Sequence, residues 1–252
     1  MKKDEGPTSI LITGTTNGIG KTFQNFFLKN NKYNLISVNR LNSKLPKSNN
    51  YQNFNINIKN LDEVFKLISF LKKEKKIPNI FILNAGINIY DNIKYFDLIK
   101  FKECFEVNFF GAMNFVYAIE KLGIKKRKII FISSTSNIVP NPAALGYYSS
   151  KLLIYKLIPY LNQNNNNFYK ALILGPILTR ISRKLIKPKG IAKFIYNFLC
   201  KKPEVLIKKF EKFTMNKKEF LYFTKISIII YYLIKFFLIF FPKAYSGGKN
   251  KV

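Results

Sequence analysis

The most constraining stretch of this chain is an apolar run that passes directly into a glycine turn and then into a helix. Residues 9–13 (SILIT) are branched and apolar enough for a buried strand. Gly14-Thr15-Thr16-Asn17-Gly18-Ile19-Gly20 follows at once, and Phe23, Phe26 and Phe27 give helical spacing from Ile19 to about Lys29. Strand, glycine turn and helix in that order form the context a dinucleotide loop needs. Gly14 permits the tight turn, Gly18 lets backbone approach a pyrophosphate, and Gly20 lets helix pack closely on strand. The helix amino terminus then offers N–H donors to phosphates. Cofactor contacts are therefore expected at Gly14, Thr16, Asn17, Gly18 and Ile19.

The pattern continues. A second strand over 34–38 ends at Asn39-Arg40, about twenty residues beyond the glycines, where NAD-binding folds usually carry an acid for the ribose hydroxyls. Here an arginine stands instead, and a guanidinium suits a 2′-phosphate, so NADP is favoured over NAD. The alternative is a solvated loop arginine. A third strand is expected over 54–58, and a helix from Asn60 or Asp62 to about Lys75 with Leu61, Val64, Phe65, Ile68 and Leu71 inward. A fourth strand, 80–83, ends at Asn84-Ala85-Gly86, and helical periodicity over 97–122 places Asn108 on an apolar face, where it needs partners. Alternating strands and helices predict an α/β chain, a Rossmann-type doubly wound parallel sheet covered on both faces.

Residues 129–151 bring in chemistry. The strand IIFI delivers Ser133 and Ser134 at its carboxyl end, a turn-rich loop follows, and a helix over 147–162 carries Tyr147 and Lys151 one turn apart. A free phenol, with a pKa of about 10, is a poor acid or base at neutral pH. A nearby cation lowers that value, and a tuned tyrosine can pass a proton to or from a carbonyl or alcohol oxygen. A serine hydroxyl across the site can hold the same oxygen. The plain alternative is a surface helix with an aromatic and a lysine.

These pieces together resemble the short-chain dehydrogenase/reductase family: Thr13-Gly14-(x3)-Gly18-Ile19-Gly20, Asn84-Ala85-Gly86, Asn108, Ser134 and Tyr147-x-x-x-Lys151, in order and spacing, over roughly 8–200. The resemblance implies Tyr147 as general acid/base, Lys151 lowering its pKa and holding the nicotinamide ribose, Ser134 orienting the substrate oxygen, and Asn108 holding a water of a proton relay. Tyr148 and Ser133 rival Tyr147 and Ser134 but do not fit the motif spacing. Asn84 and Gly86 either touch cofactor or brace the fold, and Ala85 between them is expected to touch cofactor. Asn57 stands where the family often has an aspartate near the adenine. After the sixth strand, expected over 169–174, Leu174-Gly175-Pro176-Ile177-Leu178-Thr179 lacks the family's first proline, while Ile177 and Thr179 are placed to meet the nicotinamide carboxamide. NADP-specific members often carry a basic residue where this chain has Asn17, which weighs against the arginine argument.

The 252 residues carry 43 Lys plus Arg against 13 Asp plus Glu. Such charge suits phosphate-rich partners, although a composition loaded with Lys, Asn, Ile and Phe also fits an AT-biased genome. No nucleic-acid module is recognisable, so nucleic acid is not expected as a partner. Histidine is absent, which removes histidine catalysis and histidine metal ligands, and no metal site is expected. Cys104 and Cys200 read as reduced thiols, and MKKDEGPTS lacks an apolar signal region, so a cytoplasmic chain is expected. Residues 1–200 are read as the catalytic domain and 201–252 as a basic and apolar extension. Residues 226–241, ISIIIYYLIKFFLIFF, are apolar nearly all round and short for a full crossing. They fit a half-buried helix at the cytoplasmic face of an anionic membrane, with a core or oligomer helix as the alternative. A lipid-linked substrate follows from that tail alone, and a homo-oligomer is the family's default. A fold-retaining, non-catalytic nucleotide sensor is the rival function.

Overall fold

The alternation becomes a seven-stranded, wholly parallel sheet in the order β3-β2-β1-β4-β5-β6-β7. The computed structural model describes residues 7–40, 48–89, 96–134, 144–163, 166–175, 177 and 204–222. The strands are β1 (Thr8–Thr13), β2 (Tyr33–Asn39), β3 (Tyr51–Asn55), β4 (Ile80–Leu83), β5 (Lys128–Ser134), β6 (Phe168–Leu174) and β7 (Phe220–Tyr222). The helices are α1 (Gly18–Leu28), α2 (Leu61–Lys73), α3 (Leu98–Phe105), α4 (Gly111–Lys121), α5 (Leu145–Asn162) and α6 (Val205–Met215).

Strand side chains alternate between two cores. Leu11, Phe81, Ile129, Phe131, Ala171 and Ile173 face the layer of α2, α4 and α5. Ile10, Ile12, Ile82, Ile130, Leu172 and Leu174 face α1 and α6. Burial on both faces explains why β1, β4 and β5 read as near-continuous apolar runs. The strand order reverses between β1 and β4, so a crevice opens beyond their carboxyl ends, where open α/β sheets bind ligands.

Three boundaries differ from the sequence reading. The third strand lies at 51–55, not 54–58: Tyr51 pairs with Leu35 and Asn55 with Asn39. Asparagines within it bond sideways, Asn39 Nδ2 donating to Asn53 Oδ1 (2.7 Å) and Asn53 Nδ2 to Asn55 Oδ1 (2.8 Å), which masks the apolar alternation. The helix read over 97–122 is interrupted by a π-turn at Glu106–Phe110, closed by the Gly111 N–H on the Glu106 carbonyl. Finally, residues 204–222, read as part of a basic and apolar extension beyond 200, pack on the sheet as α6 and join it as β7. Leu206, Phe210 and Phe213 of α6 enter the core beside Phe23 and Phe27, and β7 pairs with β6. Buried Lys170 of β6 ties the foot of α6, donating to the carbonyls of Phe213 and Asn216 (2.8 Å for the latter). Residues 226–241 lie outside the described residues. Among the described residues, no helix is long and apolar enough to cross a membrane.

Asn60 caps α2, its Oδ1 accepting from the N–H groups of Asp62 (3.0 Å) and Glu63 (3.3 Å). Asn60→Ala is expected to cost about 1 kcal/mol, measured as a lowered urea midpoint at constant slope.

Candidate active site

The glycine turn is built by contact as much as by conformation. Gly14 and Gly18 have φ of 72° and 58°, a region that favours glycine. A Cβ on Gly20 would sit 2.0 Å from the Gly14 carbonyl oxygen and 2.6 Å from Asn84 Nδ2. Asn84 is the brace: its Nδ2 donates to the carbonyls of Thr13 (3.0 Å) and Gly14 (2.8 Å), and its N–H donates to Thr13 Oγ1 (3.0 Å). The Ala85 N–H donates to the same hydroxyl at 3.0 Å. These bonds brace the turn, one of the two roles left open for Asn84. Asn17 precedes α1 without capping it through its side chain, so the first-turn N–H groups of α1 face outward for an anion. Thr16 and Asn17 are exposed beside them, and Ile19 packs partly against the apolar core.

At the far side of the turn, buried Asn39 occupies the place of the expected acid and turns inward. Its Oδ1 accepts from the Thr15 N–H at 2.8 Å. Arg40, next in the chain, is exposed. Asn57 serves the turn into α2, its N–H donating to Glu63 Oε2 (2.7 Å) and its Oδ1 accepting from the Lys59 N–H (3.2 Å). Ile177 is buried with Leu174 and Phe210 in the α1-side core. Thr179 lies outside the described residues, as does Cys200.

The second half of the crevice gathers Ser134, Tyr147, Lys151 and Asn108. The Ser134 side chain hydrogen-bonds the Tyr147 hydroxyl. Ser133 instead is buried, its hydroxyl donating to the Lys151 carbonyl at 3.5 Å, which separates the two neighbouring serines. Lys151 is buried, donates to the Ile132 carbonyl (2.8 Å) and lies 5.9 Å from the Tyr147 ring centroid. Burial pulls its pKa down to about 8. The sequence pairing predicts a lowered phenol pKa; in the folded chain burial outweighs other influences and raises it, opposed by the Ser134 bond and assisted by buried Cys104.

Asn108 sits in the π-turn, where a shifted hydrogen-bond ladder re-aims side chains. Its Oδ1 accepts from the Ile87 N–H (2.7 Å), and its Nδ2 donates to the Ile87 carbonyl (2.9 Å) and to Ser150 Oγ (3.1 Å). Both amide hydrogens are thus committed to protein, so any water it holds must be a donor to its oxygens. A Cβ on Gly86 would lie 3.1 Å from Asn108 Oδ1 and 3.5 Å from Lys151 Nζ, so this glycine keeps the space between them open. Sequence reading missed Ile87 and Ser150, whose link to Asn108 depends on residues 21 and 42 positions away. Among the described residues, no cluster of acidic or cysteine side chains could hold a metal.

A short chain dehydrogenase family model matches residues 8–187. The chain belongs to the short-chain dehydrogenase family. It is 28% identical over 150 residues to the 3-oxoacyl-[acyl-carrier-protein] reductase FabG of Buchnera aphidicola subsp. Acyrthosiphon pisum (strain APS), covering 56% of this chain and 60% of that protein. Among solved structures, ElxO with NADP bound superposes with a TM-score of 0.72 at 21% identity, covering 85% of this chain and 94% of that one. A short-chain dehydrogenase from Burkholderia cenocepacia J2315 in complex with NADP gives 0.72 at 19%, covering 91% and 93%. The ligand-free aldohexose dehydrogenase of Thermoplasma acidophilum gives 0.70 at 21%, covering 82% and 86%. These likenesses establish the short-chain dehydrogenase fold.

Proposed function

We propose that this chain is an NADP-preferring oxidoreductase that interconverts a carbonyl and a secondary alcohol. The observation that carries the reading is the Tyr147 hydroxyl held by Ser134 beside buried Lys151, on the same sheet edge as an uncapped glycine-turn helix. When bound, the nicotinamide coenzyme supplies hydride transfer. The first-turn N–H groups of α1, capped by no side chain, fit its pyrophosphate. Arg40 would meet a 2′-phosphate, and Lys151 the nicotinamide ribose. Ser134 would hold the substrate oxygen while Tyr147 gives or takes its proton. The gap at Gly86 between Lys151 and Asn108 is a route for proton resupply.

The substrate we favour is a carbonyl on an amphiphilic acyl chain. The FabG relative is named for an acyl substrate on a carrier protein. The apolar sequence of residues 226–241, flanked by lysines, fits recruitment to an anionic lipid surface. The exposed Ile99, Phe110 and Tyr117 on one helical layer support a homo-oligomer.

The test is fluorescence titration of the purified full chain with NADPH and NADH, with and without anionic vesicles, followed by NADPH oxidation with acetoacetyl-CoA and long-chain 3-oxoacyl thioesters. Tighter NADPH binding, turnover of the acyl probes and vesicle association are the expected results. Absence of NADPH oxidation with every thioester and ketone probe would overturn the reductase reading. Arg40→Ala is expected to weaken NADPH about tenfold, the low end for a charge-assisted bond, and to leave NADH unchanged.

A further inference from the structure

Ser150 is fully buried on α5, three residues past Tyr147 and adjacent to Lys151. Its hydroxyl donates to the Tyr147 carbonyl at 2.8 Å and accepts from Asn108 Nδ2 at 3.1 Å. Asn108 in turn grips Ile87 through both backbone groups. One chain of bonds therefore joins the loop after β4, the π-turn and the first turn of α5.

We propose that Ser150 is a positioning residue for the reaction, a clamp that fixes the first turn of α5 against the π-turn and so keeps Tyr147 and Lys151 aligned with Ser134. A helical serine commonly bonds its own preceding turn. The bond across 42 positions to Asn108 is what makes Ser150 a link between elements. Ala144 supplies no side-chain cap and no acidic residue stands in the first turn of α5, so that turn is held by the close approach of Gly146 to Phe101 and Cys104 and by side-chain bonds such as this one. Removing the hydroxyl would leave a buried Asn108 N–H unpaired, the costly form of a lost hydrogen bond. Relief requires Asn108 to rotate or α5 to slide, and sliding shifts the phenol from its partner.

As a statement about turnover, the proposal rests on the reductase reading, and two measurements keep the failures apart. Ser150→Ala is expected to lower kcat of NADPH-dependent acetoacetyl-CoA reduction about tenfold, as small misplacements of catalytic groups do, with NADPH affinity unchanged. Looser alignment weakens the Ser134 bond that opposes the upward push of burial, so the phenol pKa rises further and the Tyr147 limb of the pH–rate profile moves to higher pH. Ser150→Thr, which keeps the hydroxyl, restores both. The second measurement needs no turnover: urea midpoints of Asn108→Ala, Ser150→Ala and the double variant are expected to be non-additive. An active wild type with unaltered kcat and pH profile in Ser150→Ala overturns the positioning role. Additive midpoints overturn the clamp itself. Non-additive midpoints in a chain that turns over no carbonyl probe uphold the clamp and overturn the reductase reading.

Discussion

Tyr147→Phe is expected to lower kcat for carbonyl reduction by roughly 10²- to 10⁴-fold, the span of a lost general acid, with little change in NADPH affinity. Phenylalanine keeps the ring against Lys151 and removes only the hydroxyl that Ser134 holds. The pH dependence separates the two titrating neighbours. In the free protein the phenol is pushed above its ordinary value, first by burial, so it stays protonated at neutral pH and kcat/KM for reduction falls through its pKa only on the alkaline side. That limb should vanish in the phenylalanine variant. Lys151, brought to about 8 by burial, loses its charge at lower pH, so a limb near 8 that survives the substitution belongs to the lysine. A Tyr147→Phe protein with wild-type kcat would contradict the assignment of the proton donor.

Gly20→Ala should have the largest effect on the molecule itself. The added methyl would lie 2.0 Å from the Gly14 carbonyl oxygen, and backbone, not a flexible side chain, is the obstacle. Asn84 Nδ2, 2.6 Å from the same point, is already committed to two carbonyls. The turn must therefore open. Overpacking of this kind costs about 3 kcal/mol or more, read as a fall in the urea midpoint, together with loss of measurable NADPH binding. Retention of both the wild-type midpoint and NADPH binding would show that the turn adjusts without that cost.

Much of this was legible in the chain, for physical reasons that also explain the gaps. β1, β4 and β5 are buried on both faces and announce themselves as apolar runs. Gly14 and Gly18 sit in the one turn between β1 and α1, and Tyr147 and Lys151 lie one helical turn apart on α5, so their spacing is local and readable. The third strand was misplaced because Asn53 and Asn55 satisfy one another sideways at a sheet edge, which no apolar pattern records. The π-turn adds one residue to a helical register and barely disturbs apolar spacing, so Asn108 looked like a polar intruder in a continuous helix. β7 has only three residues and follows a basic stretch, so its place in the sheet comes from pairing with β6. The inward turn of Asn39 depends on Thr15 and Asn53, and the serine beside Lys151 on a partner far along the chain.

The direction of β7 has a practical consequence. Because that strand is parallel to its neighbour, with Tyr222 opposite Ile173, the polypeptide exits on the rim where Ser134 and Gly86 stand, whereas Thr8 enters from the opposite rim. A purification tag or fusion partner joined at the amino end is thus remote from the reacting groups. One joined just after Tyr222 would stand on the same rim as Ser134 and Gly86.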